Sequence, residues 1–199
     1  MDAFFTRWET LIRQHTTRTE SSGQNEVEIR FGKMNRGSFD TNVGRDTYDK
    51  VVRRLKRYDG WESVSDEDTS KFYYEGGRRV TYDNSKGDIT ECVVKRRVLV
   101  DDVSLQSQLF DVRLGISSEN PTDHVEDEEY TKVRNVKRMS FLRKDLRIDV
   151  SAVSGDPEDP DSENEVEYQI ELELLKVPES RNELYNMVYK IFDLLKITQ

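Results

Sequence analysis

The sequence predicts an α+β fold in which eight antiparallel β-strands close into a barrel with a charged interior and amphipathic helices packed outside. Three observations carry that expectation. Residues 165–174, EVEYQIELEL, alternate with a period of two. An extended strand therefore puts Glu165, Glu167, Gln169, Glu171 and Glu173 on one face and Val166, Tyr168, Ile170, Leu172 and Leu174 on the other. A shorter copy at 26–31, EVEIRF, aligns Glu26, Glu28 and Arg30 in the same way. Between the two, nearly every strand-like segment carries mixed charge on one side and Val, Ile, Leu, Phe or Tyr on the other. Carboxylates a few ångströms apart on one strand repel each other, by about a kcal/mol or more where water is partly excluded. A cationic counterpart belongs opposite them. Hard divalent metals and rows of Lys or Arg are the two candidates, and the chain supplies the second.

The elements follow in order. Phe4, Phe5, Trp8, Leu11, Ile12 and His15 recur at helical spacing, so 2–18 reads as an amphipathic helix with Asp2 as N-cap. Residues 21–25 form a turn before the first charged strand. Asp46 opens a second helix that buries Tyr48, Val51, Val52, Leu55 and Tyr58 and stops at Asp59-Gly60. Its other side, Lys50, Arg53, Arg54, Lys56 and Arg57, is either a solvated face or an RNA-backbone contact. From Thr69 the pattern becomes strands: 72–75 and 78–83 flank Gly76-Gly77, and a hairpin at 84–88 leads into 89–101. Further strands fall at 109–118, 130–141 and 146–153. Ser180 or Asn182 caps a last helix, 180–197, whose Leu184, Met187, Val188, Ile191, Leu194 and Leu195 form an apolar stripe.

Two architectures satisfy these strands. An open antiparallel sheet would have helices on its apolar face and its charged face in water, where salt bridges are worth little. A closed barrel would turn the charges inward, and the density of mixed charge on nearly every strand favours it. At 199 residues the chain suits one domain with a sizeable core. The acidic loops 120–130 and 154–164 carry five Asp or Glu each and no Lys or Arg, so removing those ten from the net charge of -9 leaves about +1 elsewhere. Overall acidity thus permits a polyanionic ligand. The single cysteine, Cys92, allows no intrachain disulfide and suits an intracellular, reducing compartment. Asp2, Arg7, Glu9 and Arg13 interrupt the first turns, so neither a signal peptide nor a membrane association is expected. No GxxxxGK[ST] loop, Cys-His zinc spacing or Cys-x5-Arg loop is present, and with His15 and His124 alone a histidine triad is improbable.

The order EVEIRFG, RVTYD, KRRV, FDVRLGISSE, a basic strand ending in RMSF, RIDV and IELEL resembles the triphosphate tunnel metalloenzymes. More narrowly, it is similar to the RNA 5′-triphosphatase branch of fungal, protozoan and large-virus mRNA-capping systems. The resemblance spans about 26–174 and implies an eight-stranded tunnel with helices outside. It implies Glu26, Glu28 and Glu173 as ligands of Mn²⁺ or Mg²⁺, with Glu171 ordering the metal site or positioning water and Asp149 near the metal or its water. Arg79, Lys95, Arg113 and Arg138 fall where the family holds the triphosphate. Arg134 matches another basic position, Arg30 joins this set from the first strand, and Glu119 matches an acid that orients a basic residue. Catalysis is expected from Glu171, Arg79, Arg138 and Asp149, with a tunnel carboxylate such as Glu171 as general base. Two departures stand out. The family has three basics at alternate positions of one strand, where this chain reads Arg134, Val136, Arg138, so either Lys137 supplies the charge through a bulge or the register differs. Gln169 replaces the third acid of the last strand.

The function implied is release of the γ-phosphate from 5′-triphosphate RNA during cap formation, with NTP hydrolysis as a side activity and no DNA partner. A guanylyltransferase or another capping subunit is the expected protein partner. The alternatives are a tunnel enzyme acting on inorganic triphosphate, polyphosphate or a nucleotide, and a non-enzymatic module binding polyphosphate or a protein.

Overall fold

The computed structural model describes residues 2–16, 24–124, 128–155, 165–176, 178 and 180–198, with the backbone alone at 2–4 and 24. The strands are β1 (Gln24–Asn35), β2 (Ser38–Asp40), β3 (Ser63–Tyr73), β4 (Arg78–Asp83), β5 (Asp88–Val103), β6 (Asp111–Pro121), β7 (Lys132–Arg143), β8 (Leu146–Ser154) and β9 (Glu167–Leu174). They run in the order β2-β1-β6-β5-β4-β3-β7-β8-β9, all antiparallel, and β1 also pairs with β9. That last pairing sets Glu28 opposite Glu173 and Arg30 opposite Glu171, and it closes eight strands into a barrel with β2 as a short hairpin arm. Closure turns the period-two alternation into an inside and an outside.

The hydrophobic core lies outside the barrel, under the helices. Helix α1 (Asp2–Thr16) buries Phe5, Trp8 and Ile12, α2 (Arg45–Lys56) buries Val51 and Leu55, and α3 (Arg181–Thr198) buries Leu184, Met187, Val188, Ile191, Leu194 and Leu195. They meet Val27, Ile29 and Phe31 of β1, Val112, Leu114 and Ile116 of β6, and Ile170 and Leu172 of β9. Trp8 Nε1 donates to Asp101 at 3.0 Å and so satisfies the one polar atom of the largest buried ring. The Ser180 hydroxyl accepts from the Glu183 N–H at 3.2 Å, which makes Ser180 the cap of α3.

Several local expectations change. Strand β3 starts at Ser63, well before the strand expected at 72–75; Ser63 to Glu67 are exposed and carry no apolar alternation to betray it. Tyr58 lies past the end of α2 and is 41% exposed, stacked edge-on against Trp61. Strict alternation from Lys95 would also turn Arg97 inward, but the β5–β6 register slips between Arg97 and Leu99, and Arg97 is exposed. Gly44 stands at the N-cap of α2 with φ 79, and Asp46 occupies its first turn. The Asp2 and Phe4 side chains, the turn at 21–23 and most of the second acidic loop lie outside the described residues.

Candidate active site: a charged tunnel

The barrel encloses a cavity of about 620 Å³. Each strand of the closed ring contributes polar residues, because inward positions follow the alternation. Eight cations line the cavity: Arg30, Lys71, Arg79, Lys86, Lys95, Arg134, Arg138 and Arg147. Eight acids join them: Glu26, Glu28, Glu67, Asp83, Glu91, Glu119, Glu171 and Glu173. The wall is formally neutral, and its charges interlock. Arg30 reaches Glu28 at 3.0 Å and Glu171 at 2.9 Å, and Arg138 reaches Asp149 at 3.3 Å and Glu171 at 3.5 Å. Arg79 meets Glu91 at 2.8 Å and Glu119 at 3.2 Å, while Lys95 meets Glu26 and lies 3.1 Å from Glu119. Glu119 therefore bridges two cations. The Arg79 Nε is buried with no hydrogen-bond partner among the described residues, a donor left over for an anion.

Ten of the twelve residues expected at the site line this cavity: Glu26, Glu28, Arg30, Arg79, Lys95, Glu119, Arg134, Arg138, Glu171 and Glu173. Two do not. Arg113 points to the same side of the sheet as Arg30, but its guanidinium donates to Asp102 at 2.6 and 2.9 Å and lies 4.5 Å from the centre of the Phe39 ring. The β1–β2 arm covers it and keeps it off the cavity wall. Asp149 is 1% exposed beneath Arg138 and Arg147, which makes it an anchor for two guanidinium groups. The β7 register runs without a bulge, so Val136 faces the cavity. Lys137 points out, 79% exposed, with Asp68 at 3.8 Å. Lys71, Glu67, Glu91 and Arg147 are wall residues that the sequence reading assigned no role. The two on β3, Glu67 and Lys71, lie before the strand expected at 72–75.

Burial and charge set the proton affinities. Burial pushes the Glu26 carboxyl up, and Lys95 and Ser117 more than reverse this, so its pKa is lowered. Glu28 is raised, because burial outweighs Arg30 and the neighbouring Glu171 and Glu26 repel its charge. Glu173 is pushed up to about 7 by burial, against the pull of Arg147. Glu171 is also buried, yet Arg30, Arg138 and Lys71 hold it down to about 2. A carboxylate held that low accepts a proton poorly, and what Glu171 does here is fix Arg30 and Arg138. Lys71 is brought down to about 8 by burial and by Arg138 and Arg79.

The donor set of β1 and β9 suits a hard divalent cation: oxygens alone, from adjacent strands, with Glu28 and Glu173 raised in proton affinity even beside Arg30 and Arg147. Gly115 lies opposite Glu28, where a Cβ would come within 3.2 Å of its carboxylate, so the position keeps room beside it. Among the described residues no three acids yet form a cage, since Glu26 leans to Lys95, Glu28 to Arg30 and Glu173 to Arg147.

The family profile described as mRNA capping enzyme, beta chain, matches residues 61–187. The chain belongs to that family. The matched span of this capping-enzyme beta chain runs from just before β3 into α3 and leaves Glu26 and Glu28 outside it. Two curated relatives are mRNA-capping enzyme subunits beta. That of Yarrowia lipolytica is 28% identical over 123 residues, 62% of this chain and 31% of its own length. That of Cryptococcus neoformans is 28% identical over 104 residues, 52% of this chain and 26% of its own. The chain thus spans less than a third of those relatives. Among solved structures, the S. pombe Pct1 RNA triphosphatase in complex with the Spt5 CTD superposes with a TM-score of 0.81 at 16% identity, over 96% of this chain and 91% of that one. A mimivirus capping-enzyme RNA triphosphatase domain gives 0.70 at 14% identity, over 100% and 97%. These likenesses establish the tunnel fold for this chain. No helix among its described residues is long and apolar enough to cross a membrane.

Proposed function

We propose that the tunnel removes the γ-phosphate of 5′-triphosphate RNA in mRNA cap formation, with NTP hydrolysis as a side activity. One observation carries this reading in a capping-enzyme beta chain: an enclosed cavity of about 620 Å³ whose wall holds eight cations and eight acids. A closed barrel can admit a chain end but excludes an internal phosphodiester, and a triphosphate end is the densest anion an RNA end offers. Arginine geometry matches phosphate oxygens, so Arg79, Arg134 and Arg138 bind and orient the substrate on one side of the cavity. Asp149, Glu119 and Glu171 fix the Arg79 and Arg138 guanidinium groups in place, so little reorganisation of these two is needed when the anion enters. A neutral wall that receives a triphosphate needs further positive charge. Glu26, Glu28 and Glu173 are the residues that would hold Mn²⁺ or Mg²⁺, which when bound supplies charge neutralisation at the γ-phosphate and orientation of the attacking water.

The same reading assigns the protein to an intracellular, reducing compartment, with a guanylyltransferase or another capping subunit as partner. Phosphate release from γ-labelled triphosphate RNA and from tripolyphosphate, each with and without Mn²⁺, tests it. Mn²⁺-dependent release with preference for RNA is expected. Preference for tripolyphosphate would make this an inorganic triphosphatase, and no release from either would leave only a binding module.

A further inference from the structure

Val136 interrupts the row of cations on β7, and a cation from the neighbouring strand stands beside the gap. In the β3–β7 ladder Lys71 is directly opposite Arg134, and Thr69 is opposite Val136. Lys71 is thus diagonal to Val136, about 7–8 Å away between backbones and within reach of a lysine side chain. All three side chains line the cavity.

The ion pairing sets Lys71 and Arg134 apart. Of the eight cations on the wall, Arg30, Arg79, Lys86, Lys95, Arg138 and Arg147 each have a carboxylate within 4 Å, and among the described residues Lys71 and Arg134 have none. Like charges directly opposite each other in a ladder destabilise it, so a bare pair of this kind is kept for something anionic. Lys71 is also half-buried, and its depressed proton affinity agrees with a cation that lacks a counter-charge.

We propose that Lys71 is a substrate-binding residue of the tunnel, supplying from β3 the cation that β7 lacks at Val136 and, with Arg134, gripping phosphate oxygens on the β3–β7 wall. This rests on the triphosphate reading above, and it adds a ligand that neither the resemblance nor the family match assigns. The position is a divergence in which one strand has lost a charge and its neighbour carries it.

Steady-state kinetics on γ-labelled triphosphate RNA with Mn²⁺, and calorimetric binding of tripolyphosphate, are compared for the wild type, Lys71→Met, Lys71→Arg, the double variant Lys71→Met with Val136→Lys, and Glu28→Ala. Lys71→Met should weaken tripolyphosphate binding and raise KM by about tenfold or more, the scale of one hydrogen bond to a charged group. It should not lower the melting temperature of the ligand-free protein, since it removes a repulsion. Lys71→Arg should stay within about threefold, and the double variant, which moves the ammonium to β7, should recover most of the loss. Lys71→Met within twofold of the wild type, with Glu28→Ala inactive, overturns the assignment and leaves the triphosphatase reading intact. A loss in Lys71→Met that neither Lys71→Arg nor the double variant relieves marks a packing role and overturns it as well. A wild type that neither binds tripolyphosphate nor releases phosphate overturns both readings together.

Discussion

Two walls of the tunnel, one on each side of β8, differ in charge. The β1–β9 wall presents Glu26, Glu28, Glu171 and Glu173 against one cation, Arg30. The β3–β7 wall presents Lys71, Arg134 and Arg138 against one acid, Glu67. Only β8 lies between β9 and β7 on one side of the ring, where Arg138 reaches Glu171 at 3.5 Å, while β6, β5 and β4 hold the two walls apart on the other. Such a separation would be costly to keep empty, since opposite charges attract and like charges on one wall repel. It suits a cargo that is itself divided, with phosphate oxygens on one side and a divalent cation on the other. Burial first, and then neighbouring charge, sets the proton affinities: Glu28 and Glu173 are raised on the acidic wall, where Lys95 and Arg30 hold Glu26 and Glu171 down, and Lys71 is lowered on the basic one.

Breaking the acidic wall should have the largest effect. Glu28→Ala or Glu173→Ala should reduce Mn²⁺-dependent phosphate release by about three orders of magnitude, several kcal/mol of transition-state stabilisation. Circular dichroism should show the fold retained, because main-chain bonds close β1 onto β9.

Next comes the anchor between the walls. Asp149→Ala removes the buried partner that Arg138 and Arg147 share and leaves them Glu171 and Glu173, so the loss should approach but not exceed about 3–5 kcal/mol, the cost of an uncompensated buried charge. Urea denaturation should report a loss of that order alongside the loss of activity. A midpoint within experimental scatter of the wild type would show that Asp149 is dispensable to the network.

A smaller, graded effect should appear with pH. Lys71 faces Glu67 and Tyr73 along its own strand, Thr81 and Arg79 on β4, Arg134 and Arg138 on β7, and feels Glu91 and Glu171 farther off. Its folded value of about 8 lies below the free value of 10.5, so the fold disfavours the protonated form. Stability from this group therefore rises as pH climbs from about 8 towards 10.5. Tripolyphosphate affinity should fall over the same window, because the anion needs the ammonium. Calorimetry from pH 7 to 10 should show the decline in the wild type and a flatter profile in Lys71→Arg, whose guanidinium stays charged.

The smallest effect belongs to the residue next door but facing out. Lys137→Ala should change turnover by less than about twofold and stability by less than about 0.5 kcal/mol, since an exposed pair at 3.8 Å contributes little. A large loss would mean that the two faces of β7 are not as distinct as the register makes them.

Most of the wall was legible beforehand. Glu26, Glu28 and Arg30 on β1, and Glu171 and Glu173 on β9, announce their shared face through alternation alone, because a strand's side chains follow a fixed period whatever it pairs with. For Arg113, alternation gives the side of the sheet, but whether it meets the cavity depends on Asp102 and on the β2 arm that brings Phe39 over it. Lys71 was missed because it lies one residue before the strand expected at 72–75, and its side of β3 shows only once Arg134 is set opposite it.

The amino-acid order on its own determined which face each strand would turn inward and which helices would cover the outside, since both depend on spacing along a few neighbouring residues. Only the tertiary structure decided that β1 meets β9, that Lys71 lies against Arg134, and which acid neutralises which base. Those outcomes rest on contacts between segments distant along the chain, where register and loop placement, rather than periodicity, select the partner.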